Sequence, residues 1–198
     1  MTQFQMIFSA AALATACLAG AAVDAKTYKT DQGHTEVRFS WSHAGVSVQA
    51  AEFTVADGTL ELDPENPDAA SLNVTIAANS LSSGFGPLDD HLKSADFLEV
   101  ETFPEITFVS TGVEKTGENT ANVTGDLTIH GTTQSVTLET TLTHIGEHPL
   151  GGAIDYYKGD WAAFTATTVL EDHMAFGVGG FSTGPITINI VTEMKATD

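Results

Sequence analysis

The sequence predicts an all-β fold: a closed antiparallel barrel of about eight strands with one short α-helix over an opening. Three observations predict it. Segment after segment alternates apolar and polar residues with the period of a half-buried strand. The segments are joined by short turns, as in antiparallel sandwiches and barrels. One stretch alone, residues 87–95, has apolar positions at helical spacing. A barrel of this size either fills its interior with side chains or holds one small ligand. It suits holding an apolar molecule better than performing a reaction.

Taken in order, the first strand places Val37, Phe39, Trp41 and His43 on one face. Leu60 and Leu62 alternate with Thr59, Glu61 and Asp63, ahead of a turn between Pro64 and Pro67. Leu72, Val74 and Ile76 alternate with Asn73 and Thr75. The helix is expected over 87–95. Pro87 suits a first turn, Leu88, His91, Leu92 and Ala95 share a face, and Asp89, Asp90 and Lys93 complement the helix dipole. Ile106 and Phe108 follow on a strand, then Val123, Leu127 and Ile129, then Val136 and Leu138 beyond a tight turn. The run 146–159, with His148-Pro149 and Gly151-Gly152, reads as a long loop. Ile186, Ile188 and Ile190 form the last strand.

The chain has 198 residues, enough for one domain. Residues 4–22 are apolar, small and uncharged, and Val23-Asp24-Ala25 offers small residues at a cleavage spacing. We read 1–25 as a cleaved secretory signal peptide, although Met1 to Gln5 carry no basic residue, and 26–198 as the domain. The expected location is the periplasm. Lipoprotein anchoring at Cys17, the single cysteine, is the lesser alternative. Cleavage after Ala25 leaves a domain without disulfide or thiolate chemistry. Aspartate and glutamate number 26 against 7 lysines and arginines, a formal charge of −19 that becomes −18 once Asp24 is removed. Such a surface repels nucleic acid and anionic lipid head groups.

Catalysis finds no support. There is no usable cysteine. The seven histidines form no His-x-x-x-His pair on the expected helix, and His144 and His148 straddle a strand end and a loop. No catalytic residue, metal ligand or cofactor is therefore assigned. His43 shares the inward face of Phe39 and Trp41, where a histidine is either paired in the core or aimed at a ligand's polar head. The residues expected to line an interior are Phe39, Trp41, His43, Phe53, Leu60, Val74, Ile76, Leu92, Phe97, Ile106, Phe108, Leu127, Ile129, Trp161, Phe164 and Phe176. Alternation alone does not say whether they fill the barrel or line a cavity.

Several of these segments, in this order, resemble the YceI-like family of exported lipid-binding proteins. They are Asp31, His34, Phe39, His43 and Gly45; then Asp90 to Phe97 with Phe103 to Phe108; then the turn from Gly125 to Thr133. The resemblance covers nearly the whole of 26–198. It implies an extended lipocalin-like barrel with a long apolar tunnel and no catalytic residue. It also implies a bound polyprenyl chain, isoprenoid quinone or similar amphiphile, whose tail meets the inward side chains and whose head meets the mouth. The chain departs from the family pattern at His173-Met174-Ala175-Phe176-Gly177, where an Arg and an Asp are missing. The expected role is binding, transport or sequestration of such a lipid. The alternative is a metal- or haem-associated protein beside a membrane electron-transfer chain. A homodimer and an electron-transfer or lipid-transfer partner are further expectations.

Overall fold

A computed structural model describes residues 25–179 and 184–197. The expected signal segment, with Cys17, lies outside the described residues, apart from Ala25.

The strands are β1 (Lys26–His43), β2 (Ser47–Phe53), β3 (Ala56–Leu62), β4 (Ser71–Ala77), β5 (Leu81–Ser82), β6 (Glu105–Lys115), β7 (Thr120–Ile129), β8 (Thr132–Glu147), β9 (Asp160–Leu170) and β10 (Ile186–Ala196). The helix α1 spans Gly86–Lys93. Eight strands close a ring in the order β1, β10, β9, β8, β7, β6, β4, β3 and back to β1. All pairs are antiparallel. Closure leaves those eight without a free edge, which removes the usual template for edge-to-edge aggregation.

Strand β1 makes the closure work. Its first residues, Lys26 to Lys29, pair with β3, and its later ones, Val37 to His43, pair with β2. Its ladder with β10 shifts register between Thr30 and Thr35. Such an irregularity bends a strand and raises its twist, which a barrel wall requires at its corners. Strands β2 and β5 therefore continue the sheet past the ring, at the end where α1 sits. The β7–β8 turn is a two-residue loop, His130-Gly131, with φ of 51° and 71°. Positive φ at both central residues gives the turn whose twist suits a hairpin, and glycine is free to adopt it.

The helix starts one residue before the expected position and ends two residues earlier. Ser94 is already extended, with φ −71° and ψ 173°, and its N–H donates to the His91 carbonyl. At the front, Asp89 accepts from the Ser83 N–H at 2.7 Å and from the Ser83 hydroxyl. Leu92 turns inward and is buried. The expected loop 146–159 begins two residues late, because β8 runs to Glu147, and it contains one short turn of 3-10 helix over Asp155–Tyr157. Among the described residues, no helix is long and apolar enough to cross a membrane.

Candidate functional site

Inward positions of the eight ring strands enclose an elongated cavity of about 330 Å³. At the helix end it is closed by Leu92, Phe97, Leu98, Phe176 and Val178. Its middle is walled by side chains such as Phe39, Phe108, Leu138, Ala166 and Ile188. At the opposite end the lining reaches solvent-exposed residues, Pro64, Lys115, Glu118, Asn119 and Thr120, which mark the mouth. The space is a blind tunnel along the barrel axis. Its volume falls at the low end of the usual range for small-molecule sites, roughly 300–1,000 Å³. That suits one slender chain.

The tunnel exists because small residues and close approaches are placed along it. Gly125 on β7 carries no Cβ. One built there would lie 2.4 Å from Phe108 Cζ and 2.6 Å from the Val109 carbonyl oxygen. The glycine lets the Phe108 ring lie flat against the wall. Polar atoms are few along the interior: Thr30, Thr35, Thr140, Thr168 and Thr192 contribute hydroxyls among aliphatic neighbours. An apolar group placed here exchanges water for hydrocarbon, a gain of roughly 25 cal/mol per Å² removed from water.

Among the residues expected inside, Phe39, Phe53, Leu60, Val74, Ile76, Leu92, Phe97, Ile106, Phe108, Leu127, Ile129, Phe164 and Phe176 line this cavity. Trp41, His43 and Trp161 do not. Trp41 is buried and stacks on Phe39, centroids 5.5 Å apart, one ring removed from the space. His43 is exposed, because β1 overruns the ring: its pairing with β10 ends at Ser40, and beyond that no opposite wall faces it. Trp161 is 1% exposed but lies on the outer side of β9, since Phe164, Ala166 and Thr168 take the inner one. It is covered by the 148–159 segment, and its Nε1–H donates to the Tyr157 carbonyl at 3.1 Å. The mouth residues Lys115, Glu118 and Asn119 were not singled out from the sequence. Only their position beside a chain reversal at the strand ends could have pointed to them.

His173 lines the closed end and is buried. It opens the segment that departs from the family pattern. Asp172 caps this turn, accepting from the Met174 N–H at 3.1 Å, and Gly177 ends it with φ 79°. The turn is thus held by a cap and a glycine.

A separate polar cluster sits outside the tunnel. His34 Nδ1 lies 2.6 Å from Asp31 Oδ2, and the Gly33 N–H donates to Asp31 Oδ1 at 3.0 Å. Burial pushes the Asp31 carboxyl up, but hydrogen bonds from His34, Tyr156 and the Gly33 amide outweigh it and hold the group below its ordinary value. The same contact with Asp31 raises His34 above the ordinary imidazole range. Glu193 on β10 completes the group. One ligand atom from each of Asp31, His34 and Glu193 lies within 4.8 Å of the others.

A family model described as the YceI-like domain matches residues 28–195. The chain is 41% identical over 175 residues to a UPF0312 protein of Pseudomonas putida strain W619, covering 87% of each. Its fold is similar to that of BcnA from Burkholderia cenocepacia, with TM-score 0.71 and 23% identity over 83% of this chain and 98% of that one. It is also similar to a polyisoprenoid binding domain from Saccharophagus degradans, with TM-score 0.60 and 12% identity over 85% and 98%.

Proposed function

The chain belongs to the YceI-like family, and we propose that its barrel binds one long-chain isoprenoid, of polyprenyl or isoprenoid-quinone type, or a similar amphiphilic lipid. In this reading the protein works in the periplasm after removal of residues 1–25, carrying or sequestering its cargo without catalysis. The observation that carries the reading is the blind apolar tunnel, closed by α1 and open at Lys115, Glu118 and Asn119. The tail lies along the tunnel, and the head group meets the mouth. The similarly folded polyisoprenoid binding domain from Saccharophagus degradans lends support. The acidic exterior makes docking on anionic membrane by charge unfavourable. Delivery therefore falls to a lipid-transfer or electron-transfer partner at the membrane.

Ala166→Trp provides the test. Ala166 faces the middle of the tunnel, so an indole there fills the path without touching the mouth. Wild-type protein incubated with a long-chain polyprenol is expected to co-elute with one equivalent, and the folded variant with almost none. Equal uptake by both, or none by the wild type, overturns the proposal.

A further inference from the structure

The cluster of Asp31, His34 and Glu193 lies apart from the tunnel, since none of the three lines it. Asp31 and His34 are three apart, which on a regular strand would place them on opposite faces. The irregularity of β1 between Thr30 and Thr35 lets them meet. Glu193 is on the outer side of β10, where Thr192 and Met194 face inward. The segment after β8 covers the group with His148, Tyr156 and Tyr157.

Asp31 accepts from the Gly33 N–H through Oδ1 and from Tyr156, and its Oδ2 faces His34 Nδ1 at 2.6 Å. His34 Nε2 lies 3.5 Å from the Tyr157 hydroxyl, leaving Nδ1 for the cluster. Glu193 Oε2 is a buried atom that accepts no hydrogen bond among the described residues. A buried carboxylate oxygen without a donor is costly unless a cation compensates it. Its nearest cationic candidate is His148 Nε2, at 3.7 Å. The Leu150 N–H donates to His148 Nδ1 at 3.1 Å, so the neutral ring carries its proton on Nε2, aimed at Glu193. His148 thus orients Glu193 and is not a ligand.

We propose that Asp31 Oδ2, His34 Nδ1 and Glu193 Oε2 bind a divalent first-row transition ion on the outer wall of the barrel. The ion takes the place of the proton between Asp31 and His34. Ligand atoms around a tetrahedral Zn²⁺ are about 3.3 Å apart, given bond lengths near 2.0–2.1 Å. That spacing falls between the 2.6 Å of Asp31 Oδ2 from His34 Nδ1 and the 4.8 Å within which all three groups lie. One imidazole nitrogen and two carboxylate oxygens suit Zn²⁺, Mn²⁺ or Fe²⁺; Ca²⁺ wants an all-oxygen shell, and Cu⁺ wants sulfur. The His34–Tyr157 and His148–Glu193 contacts form the outer shell such sites use to hold ligand orientation. The negative surface raises the local cation concentration.

The test is calorimetric titration of chelator-stripped protein with Zn²⁺, beside the variants Glu193→Gln, His34→Gln and His91→Gln. The proposal expects one saturable equivalent for wild type and for His91→Gln, whose ring is elsewhere on α1. It expects affinity about tenfold lower or worse for the other two. Glu193→Gln keeps the shape of the cluster while removing an undonated charge, so it folds and stays informative. A Zn²⁺-dependent rise in Tm, present in wild type and lost in Glu193→Gln, is the second readout. Absence of a saturable equivalent, or equal affinity across all four proteins, overturns the site. Because the site does not line the tunnel, this result stands whichever way lipid uptake turns out.

Discussion

Gly125 shows how little room the tunnel wall leaves. A methyl there meets both a ring that can shift and a carbonyl oxygen that cannot. Gly125→Ala is expected to destabilise the barrel by about 1–3 kcal/mol, the usual range for overpacking, read as a fall in Tm by thermal denaturation. An unchanged Tm would mean that the two strands are further apart than described. Trp161 makes the opposite case, a large buried aromatic residue that does not line the tunnel. Trp161→Phe removes the bond to the Tyr157 carbonyl, at a cost of roughly 1 kcal/mol. Polyprenol uptake should be unaffected. Loss of uptake in a folded Trp161→Phe protein would contradict the outward placement. Trp161 and Phe164 are both among the residues expected inside, although the sequence held the signal against it. Trp161 and Phe164 are three apart, and a strand of period two sends them to opposite faces. His43 was not legible, because alternation says which way a side chain points but not where the opposite wall stops. The Asp31–His34 meeting was hidden for a related reason: a register shift depends on the neighbouring strand.

At the scale of elements, α1 closes the tunnel, and Asp89 ties its first turn back to Ser83. Those bonds hold the Asp89 carboxyl below its ordinary value of 3.8. A depressed folded value means the stabilisation is full above the unfolded value and is lost as pH falls through the folded one. Asp89→Ala should therefore lower Tm at neutral pH, and the gap to wild type should begin to narrow below about pH 3.8 and close only in stronger acid, below the depressed folded value. A gap that persists there would assign the effect to bonds to Ser83 that survive protonation, not to the carboxylate charge. The helix could be read from Pro87, the two aspartates and the apolar spacing. Its end two residues early could not, because Ser94 leaves the helix to satisfy a bond at a cap. The strands were legible for the same reason as the helix, through periodicity. Their ring was legible only as a count: among the described residues ten strands form, and eight close. Which eight depends on β1 exchanging β3 for β2 along its length.

For the whole molecule, the account joins two surfaces with opposite tasks. The outside is acidic, with a net charge of −19 that keeps the protein apart from anionic membrane and nucleic acid. The inside is hydrocarbon, closed at one end and sized for a single chain. In the proposed function the head group meets the mouth and the tail meets the wall. The most direct measurement is native mass spectrometry of the protein purified from its own cells, followed by solvent extraction and identification of what is released. The account predicts one isoprenoid or comparable long-chain amphiphile per chain, absent from Ala166→Trp prepared in the same way. A wild-type protein that emerges empty and stays empty when offered isoprenoid quinones and polyprenols would contradict it.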